Sequence, residues 1–385
     1  MVSPTIHFDH NVKKLTYTNV GKIDVKIFEE YKDAEILDMS HGLFEDLPKE
    51  LSKLKKLKIL FLSYGKIRKV PDVVRELESL DFFGARSCKI ESLPEDCFPE
   101  SLRWLTLTDN RIDNLPKSLG KLTGLKKLLL TRNEISLIPR EILYCQNLEL
   151  LRISLNKLAV SPLSTLSDLP NLSWYSDSDN LYNRDRSTNT LKKYDLESVK
   201  VLSTIVDNQN SRVDRILINK NNAILKSFKK EFVSDGSSTN EIMINSRLGK
   251  HPNIMTPFGY FEDQNRNLNG LIVEDLSKEF VPIASPPNFV SCTRDIYKNI
   301  TLTKESGKKV IRLIKEACDY LHGLGIMHGD IYGHNTYLNL KNSEIKIGDF
   351  GASSIIFDKD AEIRRIIDNR AIDILTREIS DLCIS

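Results

Sequence analysis

A repeat of 22 to 24 residues runs from Ala34 to Asn180 and constrains the fold more than any other feature of this sequence. Each unit opens with apolar residues in the spacing LxxLxL, continues with a recurring polar position and then reaches a proline. The clearest units run from Leu57 to Ser79, from Leu102 to Gly124 and from Leu125 to Asn147. Since one short unit cannot bury its own apolar side chains, this period predicts a stack in which neighbouring units share a core.

The positions within a unit each have a physical reason. Apolar residues such as Leu102, Leu105 and Leu107 should point inward from a short strand. A side-chain amide at the recurring polar position can satisfy backbone groups where the chain turns. That position holds Asn110, Asn133 and Asn156, with Cys88 in the equivalent place. Prolines then begin the other side of the unit, where no backbone donor is needed. They are Pro71, Pro94, Pro116 and Pro139.

The combined pattern LxxLxLxxNxIxxLP resembles the leucine-rich-repeat family. The resemblance implies a solenoid of six units and a partial seventh, preceded by a cap in residues 1–33. The units begin near Ala34, Leu57, Leu80, Leu102, Leu125 and Leu148, and the partial one begins at Leu172. The alternative, a set of leucine-rich amphipathic helices, does not explain why the asparagines and prolines align with the same period.

Residues that alternate with the buried leucines should face outward on the concave sheet of such a solenoid. They form an apolar, partly aromatic stripe, which would mark a protein-binding surface if it is exposed. The expected partner-binding residues are Phe61, Phe82, Trp104, Leu129 and Trp174. The alternative is that neighbouring aromatic rings merely stack on one another along the sheet.

A second constellation lies between Ile326 and Ser353. It contains His328-Gly329-Asp330, then Asn335, then Asp349-Phe350-Gly351. A carboxylate can orient an attacking hydroxyl and accept its proton, and oxygen ligands can hold Mg²⁺ on phosphates. The ordered set resembles the catalytic and metal-binding loops of protein kinases. That resemblance implies Asp330 as the catalytic carboxylate and Asn335 and Asp349 as the Mg²⁺ ligands.

The resemblance extends upstream of this constellation. Ala223-Ile224-Leu225-Lys226 is similar to the kinase strand whose lysine contacts the phosphates of ATP, and implies a glutamate partner on the following helix. Glu241 is the first candidate for that partner and Glu231 the weaker one. Backbone groups near Val273 and Asp275 would hold adenine. The loop from Val206 to Ser211 would cover the phosphates, with Asn208 as a binding residue.

Three features depart from the kinase pattern. No glycine lies between Gly124 and Gly236, so the phosphate loop has none. His-Gly-Asp replaces His-Arg-Asp and also occurs in small-molecule kinases of the aminoglycoside phosphotransferase type. The chain continues for 34 residues beyond Gly351, and these predict one amphipathic helix on which Asp368 is placed to brace the catalytic loop. Ser353 and Ser354 are too close to Asp349 for a long phosphorylated loop, so no phosphorylation switch is expected there.

Composition sets only broad limits on the partners and the compartment of this protein. The net charge is +2, which gives no indication of a nucleic-acid or membrane partner. The six cysteines are scattered without a CxxC pair, which favours free thiols in a reducing compartment. The first residues do not read as a signal segment, and no apolar run is long enough for a membrane helix. We therefore expect a cytoplasmic protein.

These observations predict an α/β protein with a leucine-rich-repeat solenoid followed by a compact bilobal α+β protein-kinase-like domain. The expected boundaries are a cap in 1–33, repeats in 34–180, a linker in 181–195 and the kinase-like domain in 196–385. The expected function is ATP- and Mg²⁺-dependent phosphorylation of serine or threonine on a protein, with the substrate or a regulator bound by the repeats. The alternatives are a pseudokinase scaffold and, less favoured, a small-molecule kinase.

Overall fold

The structure, a computed structural model, describes residues 5–184, 189–263, 268–298, 300–356 and 358–384. It divides into two compact units. The first runs up to Leu172 and includes Asn180–Tyr182, and the second comprises Ser173–Asp179 and the chain from Asn183 onward. The segment 173–179, which the sequence assigned to the repeats, therefore belongs to the second unit. Residues 185–188 of the expected linker lie outside the described residues.

The rest of the expected linker is not a loose connection. Leu191 and Tyr194 pack against apolar clusters of the second unit. The backbone N–H of Tyr194 also donates to the Tyr260 carbonyl at 2.8 Å. Burial and this hydrogen bond extend the second unit toward the N-terminus beyond the predicted start at residue 196.

The first unit is built on a sheet to which each repeat contributes one short strand. Strand β1 pairs with β2 in antiparallel fashion, and β2 to β8 run parallel to their neighbours. The strands are β1 (Thr5–Asp9), β2 (Lys14–Thr18), β3 (Ile36–Asp38), β4 (Ile59–Phe61), β5 (Phe82–Gly84), β6 (Trp104–Thr106), β7 (Lys127–Leu129) and β8 (Leu150–Arg152). The short helix α1 (Ile27–Glu30) lies between β2 and β3 in sequence, and the short helix α2 (Leu163–Leu166) follows β8.

Between the strands of the first unit, the chain forms largely single 3-10 turns, each preceded by a proline. They span Lys49–Lys53, Asp72–Glu76, Lys117–Lys121 and Arg140–Tyr144. Proline suits this place because its fixed φ matches the extended residue that precedes each turn and its missing N–H leaves no donor unmatched.

The recurring asparagines act as expected. The Asn133 side chain donates to the carbonyls of Leu107 at 3.0 Å and Leu130 at 2.9 Å, and accepts from the N–H of Ile112 at 3.1 Å. Cys88 makes the corresponding contact through its Sγ to the Leu62 carbonyl at 3.1 Å. Each such side chain satisfies buried backbone groups that the turn would otherwise leave unpaired.

The predicted stripe is less exposed than expected. Phe82 lies 5.0 Å from Phe61 and 5.1 Å from Trp104, measured between ring centroids. Only 6% of Phe82 and 7% of Leu129 is exposed, so the expected exposure is wrong for both. Strands less than 5 Å apart let large side chains on one face cover one another, which is the stacking alternative. Phe61 and Trp104 are partly exposed, and partner binding by them stays a prediction.

The main sheet of the second unit begins with three strands that follow one another along the chain. The sheet has the order β10-β11-β12-β14-β13, and every pair in it is antiparallel. Its elements, with the preceding strand β9, are β9 (Trp174–Ser176), β10 (Lys200–Asp207), β11 (Ser211–Ile218), β12 (Asn221–Phe228), α3 (Ser238–Arg247), β13 (Pro257–Asp263) and β14 (Leu268–Glu274). Ser237 caps α3 by accepting from the N–H of Asn240 at 2.9 Å.

The rest of the second unit has two long helices and several short strand pairs. Strands β15, β18 and β19 form a three-stranded sheet, β17 pairs with β20, and β16 pairs with β21. The elements are β15 (Phe280–Pro282), β16 (Leu302–Thr303), α4 (Lys304–Gly323), β17 (Ile326–Met327), β18 (Thr336–Asn339), β19 (Ile345–Ile347), β20 (Ser354–Ile355), α5 (Ala361–Asp381) and β21 (Cys383–Ile384). The helix expected beyond Gly351 is thus confirmed as α5. Within the described part of the chain, no helix is both long and apolar enough to cross a membrane.

Candidate active site

A cavity of about 490 Å³ opens in the second unit beside β10, β11 and β12. Apolar side chains such as Val213, Ile224 and Leu271 form its walls, while Lys226 and Asp349 bring charge to its floor. A cavity of this size with few convergent polar groups is typical of a small-molecule site. The predicted site residues Lys226, Glu241, Val273, Asp275 and Asp349 all line it.

Lys226 connects the sheet to helix α3. It lies on β12, and its Nζ is 2.7 Å from Glu241 Oε1 and 3.5 Å from Asp349 Oδ1. Glu241 is 4% exposed and occupies the first turn of α3, so the cap at Ser237 fixes the carboxylate that meets the lysine. The structure therefore brings the first candidate, Glu241, to Lys226, whereas Glu231 is on the surface.

Lys226 and Asp349 stabilise each other's charge, whereas burial raises the pKa of Glu241 despite the nearby lysine. Burial lowers the pKa of Lys226, but the carboxylates of Asp349 and Glu241 outweigh burial and raise that pKa well above its ordinary value. The positive charge of Lys226 in turn lowers the pKa of Asp349. Lys226 thus remains a cation and Asp349 an anion at neutral pH.

Asp349 is held in an unusual backbone conformation. Its φ is +57°, a region that asparagine and aspartate enter more readily than most residues. The Gly351 N–H donates to Asp349 Oδ1 at 3.3 Å, and 53% of the side chain is exposed. The carboxylate is therefore accessible to a cation.

Asp330 and Asn335 are joined within the predicted catalytic loop. The Asn335 side-chain amide donates to Asp330 Oδ2 at 2.9 Å and to the Asp330 carbonyl at 3.0 Å. These bonds fix the orientation of the Asp330 carboxylate and leave the Asn335 side-chain oxygen as the atom suited to bind a metal.

Asp368 braces this loop from helix α5, as expected from the sequence. Its carboxylate accepts from the backbone N–H of His328 at 2.8 Å and of Gly329 at 2.9 Å, and contacts His322 Nε2 at 2.9 Å. His328 is fully buried, and burial lowers its pKa. Its Nδ1 accepts from the Asp330 N–H at 3.2 Å, so the neutral ring carries its proton on Nε2, which lies 3.2 Å from the Gly348 carbonyl.

Gly329 is required by its surroundings. Its φ is +74°, and a Cβ atom there would come within 2.3 Å of the Tyr175 carbonyl oxygen and 2.9 Å of the Ala352 carbonyl oxygen. Both the backbone conformation and the close approach of a second chain segment exclude a side chain. The glycine of His-Gly-Asp is therefore explained by the segment that contains Tyr175.

That segment is the part of the site that sequence reasoning missed. Trp174 was expected on an exposed binding stripe, and this is wrong, since only 1% of it is exposed. Its ring stacks on Tyr332 with centroids 4.3 Å apart, and its Nε1–H donates to the Ile331 carbonyl at 2.9 Å. The local sequence continues the repeat pattern from Leu172 to Asn180, so no local signal distinguishes it.

The expected adenine-binding strand borders the cavity. Val273 lies on β14 opposite Ile224, and both line the cavity. The Asp275 side chain accepts from the Ser277 N–H at 3.0 Å and lies 3.8 Å from Arg215, so it shapes the turn that follows the strand.

In the predicted phosphate loop, backbone N–H groups are hydrogen-bonded within the loop itself. Asn208 does not line the cavity, and its side-chain oxygen accepts from the N–H groups of Asn210 at 2.8 Å and Ser211 at 3.0 Å. Lys229 forms an ion pair with Asp207, which offsets the repulsion that this carboxylate would exert on phosphate. Two backbone donors that could contact an anion are thus already used, because an asparagine in a tight turn prefers its own backbone.

Comparison with known proteins agrees with a kinase interpretation of this site. The sequence profile of the protein kinase domain matches residues 209–367. Similar proteins are the serine/threonine-protein kinase GRIK2 of Arabidopsis thaliana, 29% identical over 126 residues, and the serine/threonine-protein kinase CHK1 of Saccharomyces cerevisiae, 28% identical over 144 residues. Aurora kinase B of Mus musculus is 31% identical over 113 residues.

These matches cover 32%, 37% and 29% of this chain, respectively. The chain in turn spans only 28%, 24% and 28% of the lengths of those three proteins. The profile match includes Lys226, Glu241, Asp330, Asn335 and Asp349. Protein kinase domains in general use ATP and Mg²⁺. Residues 209–367 therefore form a protein kinase domain similar to those of serine/threonine kinases.

Proposed function

We propose that the protein transfers phosphate from ATP to serine or threonine side chains of a protein substrate. The observation that carries the proposal is the arrangement of Lys226, Glu241 and Asp349 on the floor of a cavity whose walls are apolar. Apolar walls fit a planar base, and a charged floor fits phosphates and their metal ion. Asn335 and Asp349 present the oxygen donors that Mg²⁺ prefers.

Each residue of the site has a separate proposed role in the reaction. ATP with Mg²⁺ supplies the phosphoryl group when bound. Lys226, kept cationic by its carboxylate neighbours, contacts the phosphates and positions them. Asp330, oriented by Asn335, aligns the substrate hydroxyl and accepts its proton. Asp368 and His328 hold the loop so that the Asp330 carboxylate needs no rearrangement before reaction.

The first unit is proposed to select the substrate or a regulator. Its repeat pattern resembles leucine-rich repeats, and its parallel sheet places Phe61 and Trp104 on one face. Both side chains remain partly exposed, as a protein contact requires. Phe82 packs between them, with its ring tilted against Phe61 and edge-on to Trp104, and supports their orientation.

The test is phosphate transfer to dephosphorylated casein, a general serine/threonine acceptor, from labelled ATP with Mg²⁺. Asp330→Asn should lower turnover by about 10²- to 10⁴-fold, because the carboxylate is lost, while ATP binding is retained. Lys226→Met should weaken ATP binding and turnover together. Lys193→Met is the matched control, since that lysine is 51% exposed and pairs with Glu262 on the surface. Wild-type protein that transfers no phosphate would contradict the proposal.

A pseudokinase scaffold is the second candidate, and the phosphate loop favours it. The loop has no glycine, and the side chain of Asn208 occupies the N–H groups of Asn210 and Ser211. Such a loop approaches phosphate poorly. Mg²⁺-dependent stabilisation by ATP without phosphate transfer would favour the scaffold, and phosphorylated serine or threonine in the product would exclude it.

A further inference from the structure

The segment Ser173–Asp179, here called the clasp, lies directly on the loop that carries Asp330. The Tyr175 N–H donates to the Gly329 carbonyl at 3.1 Å, and the Trp174 Nε1–H donates to the Ile331 carbonyl at 2.9 Å. These two bonds hold the backbone on both sides of Asp330. The Trp174 ring also covers Tyr332, with the ring planes only 4° apart.

A buried ion pair anchors the clasp. The Asp177 carboxylate accepts two hydrogen bonds from Arg364 of helix α5, at 3.0 and 2.6 Å, and both side chains are fully buried. The Tyr175 hydroxyl donates to Asp177 at 3.0 Å, and Arg364 donates to the Ser354 hydroxyl at 2.8 Å. Asp177 thus connects the clasp to Arg364 on α5. Arg364 in turn contacts Ser354 on strand β20, which follows Asp349-Phe350-Gly351.

The two serines on that stretch cannot be reached by a modifying enzyme in this arrangement. Ser353 is fully buried and its hydroxyl donates to the His328 carbonyl at 2.9 Å. Ser354 is 2% exposed and accepts from Arg364. A phosphate on either hydroxyl would have to displace buried contacts, so the ordering of this region does not come from phosphorylation there.

We infer that the clasp is a permanent positioning element for Asp330, with the buried Asp177 carboxylate supplying the negative charge that many kinases acquire by phosphorylation of this region. The inference rests on the proposed kinase function for its catalytic consequence. Its structural part is independent, since the contacts to Gly329 and Ile331 fix the loop whatever the loop does. Asp177 and Trp174 are therefore positioning residues and do not touch the reacting atoms.

The experiment compares three clasp variants with a matched control in the full chain. Asp177→Asn removes the charge and keeps the shape. Asp177→Glu keeps the charge. Trp174→Phe keeps an aromatic ring against Tyr332 and removes the bond to Ile331. Ile379→Val is the control, since it loosens a fully buried position on α5 away from the clasp.

Phosphate transfer to dephosphorylated casein and ATP affinity are measured for each variant. Asp177→Asn should lower kcat about tenfold or more, because a small displacement of the catalytic group is costly. Trp174→Phe should lower kcat less, and Asp177→Glu should recover part of the activity. ATP affinity and the control should stay at the wild-type values, and phosphatase treatment of the wild type should not change kcat.

Amide hydrogen exchange supplies the readout that does not depend on activity. In Asp177→Asn, exchange of residues 326–335 should accelerate about tenfold, while strand β12 keeps its protection. Unchanged exchange and kcat would overturn the inference. So would a uniform loss of protection with weaker ATP binding, because that indicates general destabilisation. If Asp177→Asn does not fold, the kcat and the amide exchange of Trp174→Phe and Asp177→Glu test the inference instead. If the wild type transfers no phosphate, the proposed function fails and exchange alone decides the role of the clasp.

Discussion

Substituting Gly329 by alanine should destabilise the second unit severely, although the change adds a single methyl group. The new Cβ would lie 2.3 Å from the Tyr175 carbonyl oxygen and 2.9 Å from that of Ala352, and both are backbone atoms that cannot rotate away. The φ of +74° also places alanine in a region that L-residues seldom adopt.

The cost can be assembled from these contacts. The left-handed conformation costs alanine about 1–2 kcal/mol. Forcing a methyl group into a closed space costs about 1–3 kcal/mol more. Moving Tyr175 away weakens its hydrogen bond to the Gly329 carbonyl, worth about 0.5–1.5 kcal/mol. The lower chain entropy of unfolded alanine returns about 0.4–1 kcal/mol. The net loss is roughly 1.5–6 kcal/mol, a large share of the roughly 5–15 kcal/mol by which proteins are stable.

The assay uses the fact that the chain has two tryptophans, one in each unit. In a Trp104→Phe background, Trp174 is the only tryptophan, and its emission in urea reports unfolding of the second unit. Gly323→Ala is the matched control, because it lies at the end of α4 with no atom within 4 Å of its Cβ position. The control should remain within about 1 kcal/mol of the wild type.

The reasoning is refuted if the Gly329→Ala free energy of unfolding lies within about 0.5 kcal/mol of the control, as for a neutral surface substitution. Such a result would show that Tyr175 does not occupy the space beside Gly329 in solution. An equal loss in both variants would also contradict it, because the control shares only the chemical change.

Two further predictions concern the phosphate loop and a histidine. Asn208→Gly should tighten Mg²⁺-ATP binding in calorimetry, because it releases the N–H groups of Asn210 and Ser211; weaker binding would show that the native turn is already fitted to its ligand. Burial lowers the pKa of His334, but its 2.6 Å contact with Asp295 outweighs burial and raises the pKa above 6.5. The stabilisation is complete below pH 6.5 and is lost as the pH rises through the folded-state value. Asp295→Asn should remove this pH dependence of unfolding and lower the titration midpoint of His334 in NMR, and an unchanged midpoint would contradict the assignment.

Much of the site could be predicted because its chemistry fixes residue types at short spacings. Asp330 and Asn335 are five residues apart, and two hydrogen bonds join them. Lys226 and Glu241 are 15 residues apart, on a strand and the next helix, and the pairing follows from that order. The repeat was predictable for a similar reason, since each asparagine bonds to backbone about one period away.

The clasp could not be predicted in this way. Trp174 and Ile331 are 157 residues apart, and Asp177 and Arg364 are 187 apart. The sequence around Trp174 fits the repeat pattern, although the segment belongs to the second unit. Only the packing of the folded chain shows which unit this segment joins. The exposure of Phe82 was misjudged because alternation along a strand shows which face a side chain occupies, and does not show what covers that face.

The asparagine ladder of the first unit has a consequence for how this half of the protein can change in length. Asn110, Asn133, Asn156 and Asn180 each donate to a carbonyl 25 to 27 residues earlier, on the preceding unit. Inserting or deleting one entire unit would leave every asparagine facing an equivalent carbonyl. A deletion that moves one asparagine out of its turn would instead leave a buried amide and a buried carbonyl unpaired at that junction. A change of one entire unit should therefore preserve these hydrogen bonds, whereas a change inside an asparagine-bearing turn should break them at that unit.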